Sequence, residues 1–227
     1  MARTAAVFFD VDFTLIHPGP RFQGVGYQES CARHGVAADA ARFDAAVAGA
    51  SAVLDSADSL YDAELYLKYT RRIIELMGGA GAGVDRVARE IYDDWAEHHH
   101  FSLYDDVPEA LRALHDAGVR LGLISNSHRC LVSFQSHFEL EDLIAVTISS
   151  SQHGFLKPHP SIFNAALGLM GVGAGESMMV GDSLAHDVRG AERAGMRGVL
   201  LARGGAPSGV PADVPVIHTL RDLTDLI

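Results

Sequence analysis

The apolar positions of this chain fall into short runs that alternate with helical patterns, apart from one long stretch that is helical throughout. Residues 5–9, Ala-Ala-Val-Phe-Phe, form the continuous apolar run of a strand buried on both faces. Similar runs recur at 119–124, 143–148, 178–180 and 199–201. Between them, residues 107–117, 129–137, 161–170 and 184–194 read as helices. Gly118 and Gly195 stand where two of those helices should end. Strand alternating with helix predicts an α/β core built on a parallel sheet with right-handed crossovers.

The stretch after the first strand has no convincing strand pattern. Tyr61, Leu65, Tyr69, Ile73 and Leu76 share one helical face, as do Val84, Val87, Ile91 and Trp95. A glycine-rich segment at 78–83 separates the two helices, and residues 21–34 and 39–54 are also helix-like. Pro18-Gly19-Pro20 marks the entry. The expected organisation is a core of residues 1–16 and 101–227, interrupted by an all-helical insertion at 17–100. No internal repeat is visible.

A chain of 227 residues with 48% hydrophobic content has enough apolar material for one core and a smaller insertion. The formal charge of −11 argues against a nucleic-acid partner, whose phosphates it would repel. No apolar run reaches membrane-spanning length, and no signal-peptide pattern precedes the first strand. Cys31 and Cys130 are far apart and read as two reduced thiols, so a cytoplasmic location is expected. Only Lys68 and Lys157 are lysines among 18 basic residues. Where arginine is the default cation, a lysine suggests a need for its compact ammonium.

The candidate chemistry lies beyond the carboxyl ends of the predicted strands, where open parallel sheets bind ligands. The first strand ends in Asp10-Val11-Asp12-Phe13-Thr14 and the second in Ser125-Asn126-Ser127. The fourth is followed by Gly181-Asp182-Ser183 and then Asp187, and Lys157-Pro158 precedes a helix. Four aspartates, a hydroxyl and a lysine thus gather at one edge. Two unit charges about 4 Å apart repel by roughly 4 kcal/mol at an effective dielectric of 20, so such a cluster needs compensation. Carboxylate oxygens with room for water suit Mg²⁺. The lysine, the hydroxyl and backbone N–H groups at helix starts suit a phosphate. Together they suggest phosphoryl transfer through a carboxylate nucleophile.

These segments, in this order, resemble the four motifs of the haloacid dehalogenase superfamily of hydrolases. The likeness implies a Rossmann-like core and a small helical cap inserted after the first motif. It implies that Asp10 is the nucleophile, and that Asp12 protonates the leaving oxygen and then activates water. Ser125, Asn126 and Lys157 would bind the phosphoryl group. Mg²⁺ would be held by Asp10, the backbone carbonyl of Asp12, and Asp182. Thr14 and Asp187 would support the site. The substrate would be a small phosphorylated metabolite, and the sequence is silent on oligomeric state. The family usually has glycine where this chain has Phe13; the phenylalanine suggests a tighter backbone or an apolar wall toward the cap.

Other readings within the superfamily leave marks of their own. A 2-haloacid dehalogenase needs no acid for halide departure, so Asp12 and Asp182 argue against it. A phosphonoacetaldehyde-type hydrolase needs a cap lysine earlier than Lys68. A sugar phosphomutase shares all the core motifs. A non-catalytic binding relative would be expected to have lost a charged motif residue, and none is missing. His98-His99-His100 reads as a solvated hinge, because consecutive residues cannot all face one point.

Overall fold

In a computed structural model, residues 4–55, 60–205 and 209–227 are described. The chain runs through β1 (Ala6–Phe9) and β2 (Ile16–Pro18) into five helices, α1 (Gly24–Arg33), α2 (Phe43–Ala50), α3 (Ala52–Asp55), α4 (Ala63–Leu76) and α5 (Val84–Asp94). It continues through β3 (Phe101–Leu103), α6 (Val107–Asp116), β4 (Arg120–Ser125), α7 (Leu131–His137), β5 (Ile144–Ser149), α8 (Ser150–His153) and α9 (Pro160–Met170). β6 (Ser177–Gly181), a π-helical turn at Leu184–Val188, α10 (Arg189–Arg193), β7 (Arg197–Leu201) and β8 (Val216–Ile217) follow, and a 3₁₀ helix at Leu220–Asp225 comes last. Met1–His17 with Leu103–Ile227 form one compact unit, and Pro18–Ser102 form a second.

The first unit is an α/β layer structure. Its six-stranded sheet has the order β5-β4-β1-β6-β7-β8, and every pair in it is parallel. β1 lies between β4 and β6, with Phe9 opposite Leu123 on one side and Val180 on the other. All four of its residues are buried, as an apolar run covered on both faces requires. Phe8, Ile124, Ile148 and Met179 pack with Ile162, Phe163 and Met170 of α9. α6 buries Val107, Ala110, Leu111 and Leu114, an i, i+3, i+4, i+7 stripe.

The second unit is helical. Asp62 caps α4 by accepting from the N–H of Glu64 at 2.9 Å. α4 buries Leu67, Thr70, Ile73 and Ile74, and α5 buries Val84, Val87, Ala88 and Ile91. Phe22 packs against Trp95 and Phe101 with ring centroids 4.5 and 5.2 Å apart. Arg21 pairs with Glu90 at 2.7 Å and also with Asp94. His98–His100 form a single 3₁₀ turn and belong to no metal-ligating cluster among the described residues.

Candidate active site

The site is assembled from the ends of the three central strands. Asp10 directly follows β1, Ser125 is the last residue of β4, and Asp182 follows Gly181, the last residue of β6. A parallel sheet aligns these ends on one edge, so residues far apart in sequence meet without any loop having to find them. Lys157 enters from the segment before α9 and is 2% exposed. Its ammonium lies 2.6 Å from Asp10 Oδ1 and 2.7 Å from Asp187 Oδ1, and it donates to the Ile124 carbonyl at 2.7 Å. The ammonium is hydrogen-bonded to Asp10 and to the Ile124 carbonyl and ion-paired with Asp187.

Asp187 reaches Lys157 from the π-helical turn at Leu184–Val188. The Ser183 N–H donates to Asp187 Oδ2 at 3.0 Å. Gly181 makes the approach possible, because a Cβ there would sit 2.2 Å from that same oxygen. Asn126 holds the lysine's backbone at two points. Its Nδ2 donates to the Lys157 carbonyl at 2.9 Å, and its Oδ1 accepts from the Lys157 N–H at 2.7 Å. The amide, expected among the phosphate-binding groups, is here a clamp on Lys157. Ser125, wholly buried, donates its hydroxyl to Ser127 at 2.9 Å.

Asp12 has a different partner. Arg129 Nη1 donates to its Oδ1 at 2.9 Å. The Thr14 carbonyl accepts from Arg203 Nη2 at 2.8 Å, whereas its buried hydroxyl has no hydrogen-bond partner among the described residues. Phe13 adopts φ 62°, the left-handed region, and is 45% exposed. The backbone is therefore as tight as a missing glycine suggested, with the cost borne by a bulky residue.

The charges do not balance. One oxygen from each of Asp10, Asp182 and Asp187 lies within 4.8 Å of the others, the one such cluster among the described residues. A single ammonium faces these three carboxylates. Burial, opposed by Lys157 and reinforced by Asp187 and Asp182, holds the Asp10 carboxyl well above the usual range. Asp182 has an exposed side at the end of β6, and desolvation by the protein around its carboxyl and then Asp187 push it up to about 6. Burial alone would lower Lys157, but Asp10 and Asp187 overcome it and hold the ammonium above the ordinary lysine range. An all-oxygen donor set with excess negative charge fits a hard divalent cation of the Mg²⁺ kind.

The sequence pattern pointed to every carboxylate in this cluster and to Lys157. It did not point to Arg129, read there as the first residue of a helix. The signal available was its position four residues after Ser125, in the connection that leaves the end of β4.

Comparison with known proteins agrees with this geometry. The family described as haloacid dehalogenase-like hydrolase matches residues 4–195. Haloacid dehalogenase-like hydrolase domain-containing protein 3 of Xenopus laevis is 28% identical over 144 residues, covering 63% of this chain and 59% of that protein. Glyceraldehyde 3-phosphate phosphatase of Pyrococcus abyssi is 36% identical over 104 residues, covering 44% of this chain and 43% of that protein. The matches thus span less than two thirds of either relative's length. A crystal structure of an HAD phosphatase from Thermococcus onnurineus superposes with a TM-score of 0.68 at 26% identity, covering 100% of this chain and 97% of that one. The chain belongs to the haloacid dehalogenase-like hydrolase family.

Proposed function

We propose that this chain is a magnesium-dependent phosphatase that hydrolyses a small phosphate monoester through an aspartyl-phosphate on Asp10. Residues 1–16 and 101–227 would be its catalytic core, and residues 17–100 its cap. The observation that carries the reading is the Lys157 ammonium, held between Asp10 at 2.6 Å and Asp187 at 2.7 Å. Lys157 offsets the charge on Asp10 Oδ1 and leaves the other oxygen to attack phosphorus. As the bond from phosphorus to the leaving oxygen breaks, Asp12 gives that oxygen a proton. Asp12 then takes a proton from the water that hydrolyses the acyl phosphate. Ser125 offers its hydroxyl to a phosphoryl oxygen in place of Ser127. Lys157 reaches the phosphoryl group by exchanging one of its three contacts, while Asn126 keeps its backbone in place. Asp187 orients the ammonium, and Thr14 braces the nucleophile loop through its carbonyl.

Asp10, Asp182 and the Asp12 carbonyl would hold Mg²⁺, which when bound offsets charge on the phosphoryl oxygens. Relatives whose names are those of phosphatases support this reading.

The test is hydrolysis of a panel of phosphate monoesters with Mg²⁺ and with excess chelator, in the wild type and Asp10→Asn. Turnover should require Mg²⁺ and should fall by about 10³-fold or more in the variant, as when a reacting group is removed. Full activity in chelator would remove the metal from the reaction. Chloride release from a haloacid without metal would mean a dehalogenase, and isomerisation of a sugar phosphate a mutase. Ester binding without turnover would mean a non-catalytic relative.

A further inference from the structure

Arg129 is the largest fully buried side chain of the described structure, with none of its side-chain surface reaching solvent. It lies in the connection between β4 and α7, and its Nη1 donates to Asp12 Oδ1 at 2.9 Å. Burying a guanidinium is costly unless an anion receives it. Here the anion is the aspartate two residues beyond the nucleophile, and its side chain is 18% exposed. The contact engages one oxygen of Asp12; Oδ2 carries no hydrogen bond among the described residues. A rigid planar donor group therefore fixes the carboxylate by one corner and leaves the other available.

We propose that Arg129 is a positioning residue that holds Asp12 so that Oδ2 is presented for proton transfer to and from the reacting oxygens. This rests on the phosphatase reading above. Asp12 rests as the anion that receives Arg129 and takes up a proton on Oδ2 with the bound ester; in the first step Asp10 bonds to phosphorus, the bond from phosphorus to the leaving oxygen breaks, and that proton moves to the leaving oxygen. In the second, Oδ2 takes a proton from water as the water oxygen bonds to phosphorus and Asp10 is released. Arg129 keeps its own protons throughout.

The role is separable from a merely structural one through the leaving group. An alkoxide needs protonation to depart, whereas p-nitrophenolate departs without it. Arg129→Met should lower kcat/KM for glycerol 2-phosphate by about 10²-fold, the scale of general acid–base catalysis. The loss on p-nitrophenyl phosphate should be at least about tenfold smaller, with KM for both esters nearly unchanged. Arg129→Lys, which keeps the buried charge, should recover part of the alkyl-ester activity, and it decides the matter if Arg129→Met does not fold. Adding Arg129→Met to Asp12→Asn should cost nothing further on the alkyl ester, because the two act as one unit. Equal losses on both esters, or a multiplied loss in the double variant, would overturn the assignment while leaving the phosphatase reading intact. A wild type that hydrolyses neither ester would overturn the phosphatase reading itself.

Discussion

Arg203 Nη2 donates to the backbone carbonyl of Thr14 at 2.8 Å, tying the end of β7 to the loop that carries Asp10 and Asp12. The same guanidinium pairs with Asp106 at 3.0 Å and lies over the Tyr104 ring, 3.8 Å from its centroid. Asp106 also accepts from the Thr219 hydroxyl at 2.7 Å and the Leu220 N–H at 2.8 Å. One buried carboxylate thus joins the loop after β1, the start of α6 and the C-terminal segment.

That carboxylate gives the fold an acid limit. Burial would raise Asp106, but Arg203, Thr219 and the Leu220 N–H outweigh it and hold the carboxyl below its ordinary value. The stability it contributes is therefore fully present above the unfolded value of about 3.9 and lost as pH falls through the lower folded value. Asp106→Asn should cost about 3 kcal/mol at pH 7, the scale of a broken buried pair. The gap from wild type should close below about pH 4, as read by urea unfolding at a series of pH values.

The carboxylate cluster predicts the opposite slope. In chelator, Asp182 is pushed up to about 6, so the folded state keeps a proton that the unfolded chain releases. Stability of the metal-free protein should fall as pH rises above about 4, with Asp10, also raised, adding a slope of the same sign, and Asp182→Asn should reduce the slope between about pH 4 and 6 without removing it. Mg²⁺ at a hundred times its dissociation constant should stabilise the wild type by about 2.7 kcal/mol. The variant should lose most of this gain, with thermal unfolding as the readout.

Gly181→Ala places a methyl group 2.2 Å from Asp187 Oδ2 as the structure stands. Asp187 must move, and its hold on Lys157 goes with it. A loss of about 1–3 kcal/mol in stability is expected, the usual cost of overpacking. Phosphatase turnover should fall alongside it, and retained turnover at reduced stability would show that Asp187 is dispensable to the reaction.

Phe13→Gly should make the protein more stable. At φ 62° a residue with a Cβ is strained by roughly 1–2 kcal/mol, and glycine is not. Part of that relief is offset by the greater freedom of glycine in the unfolded chain, leaving a net gain of about 0.5–1 kcal/mol. Thermal unfolding would check it. A simultaneous drop in turnover would mark the strain as serving the site.

The strands that order the site were legible because burial on both faces leaves an unbroken apolar run. Residues 5–9, 119–124 and 178–180 correspond to β1, β4 and β6, whose ends carry Asp10, Ser125 and Asp182. β8 was not legible, since two residues at a sheet edge make no pattern. Residues 184–194 read as one helix, but the chain forms a π-helical turn before α10, and that turn carries Asp187 toward Lys157. Helix α7 begins at Leu131 rather than at 129, because Arg129 is turned inward to Asp12 and Cys130 occupies the cap. Both departures occur where a long-range ion pair outweighs local preference, which no window of sequence reveals.

The central place of β1 also governs how such a chain comes into being. Ala6 pairs with Arg120 on one side and Ser177 on the other, so β1 is enclosed only once two strands far later in the sequence have been made. Until β4 and β6 have emerged, Val7, Phe8 and Phe9 form an open, apolar edge of the kind that invites aggregation. Such distant pairings also slow folding, because a long loop must close before any contact repays it. A chain cut before β6 would carry Asp10 on a strand with one side bare, and its expected fate is precipitation rather than partial activity.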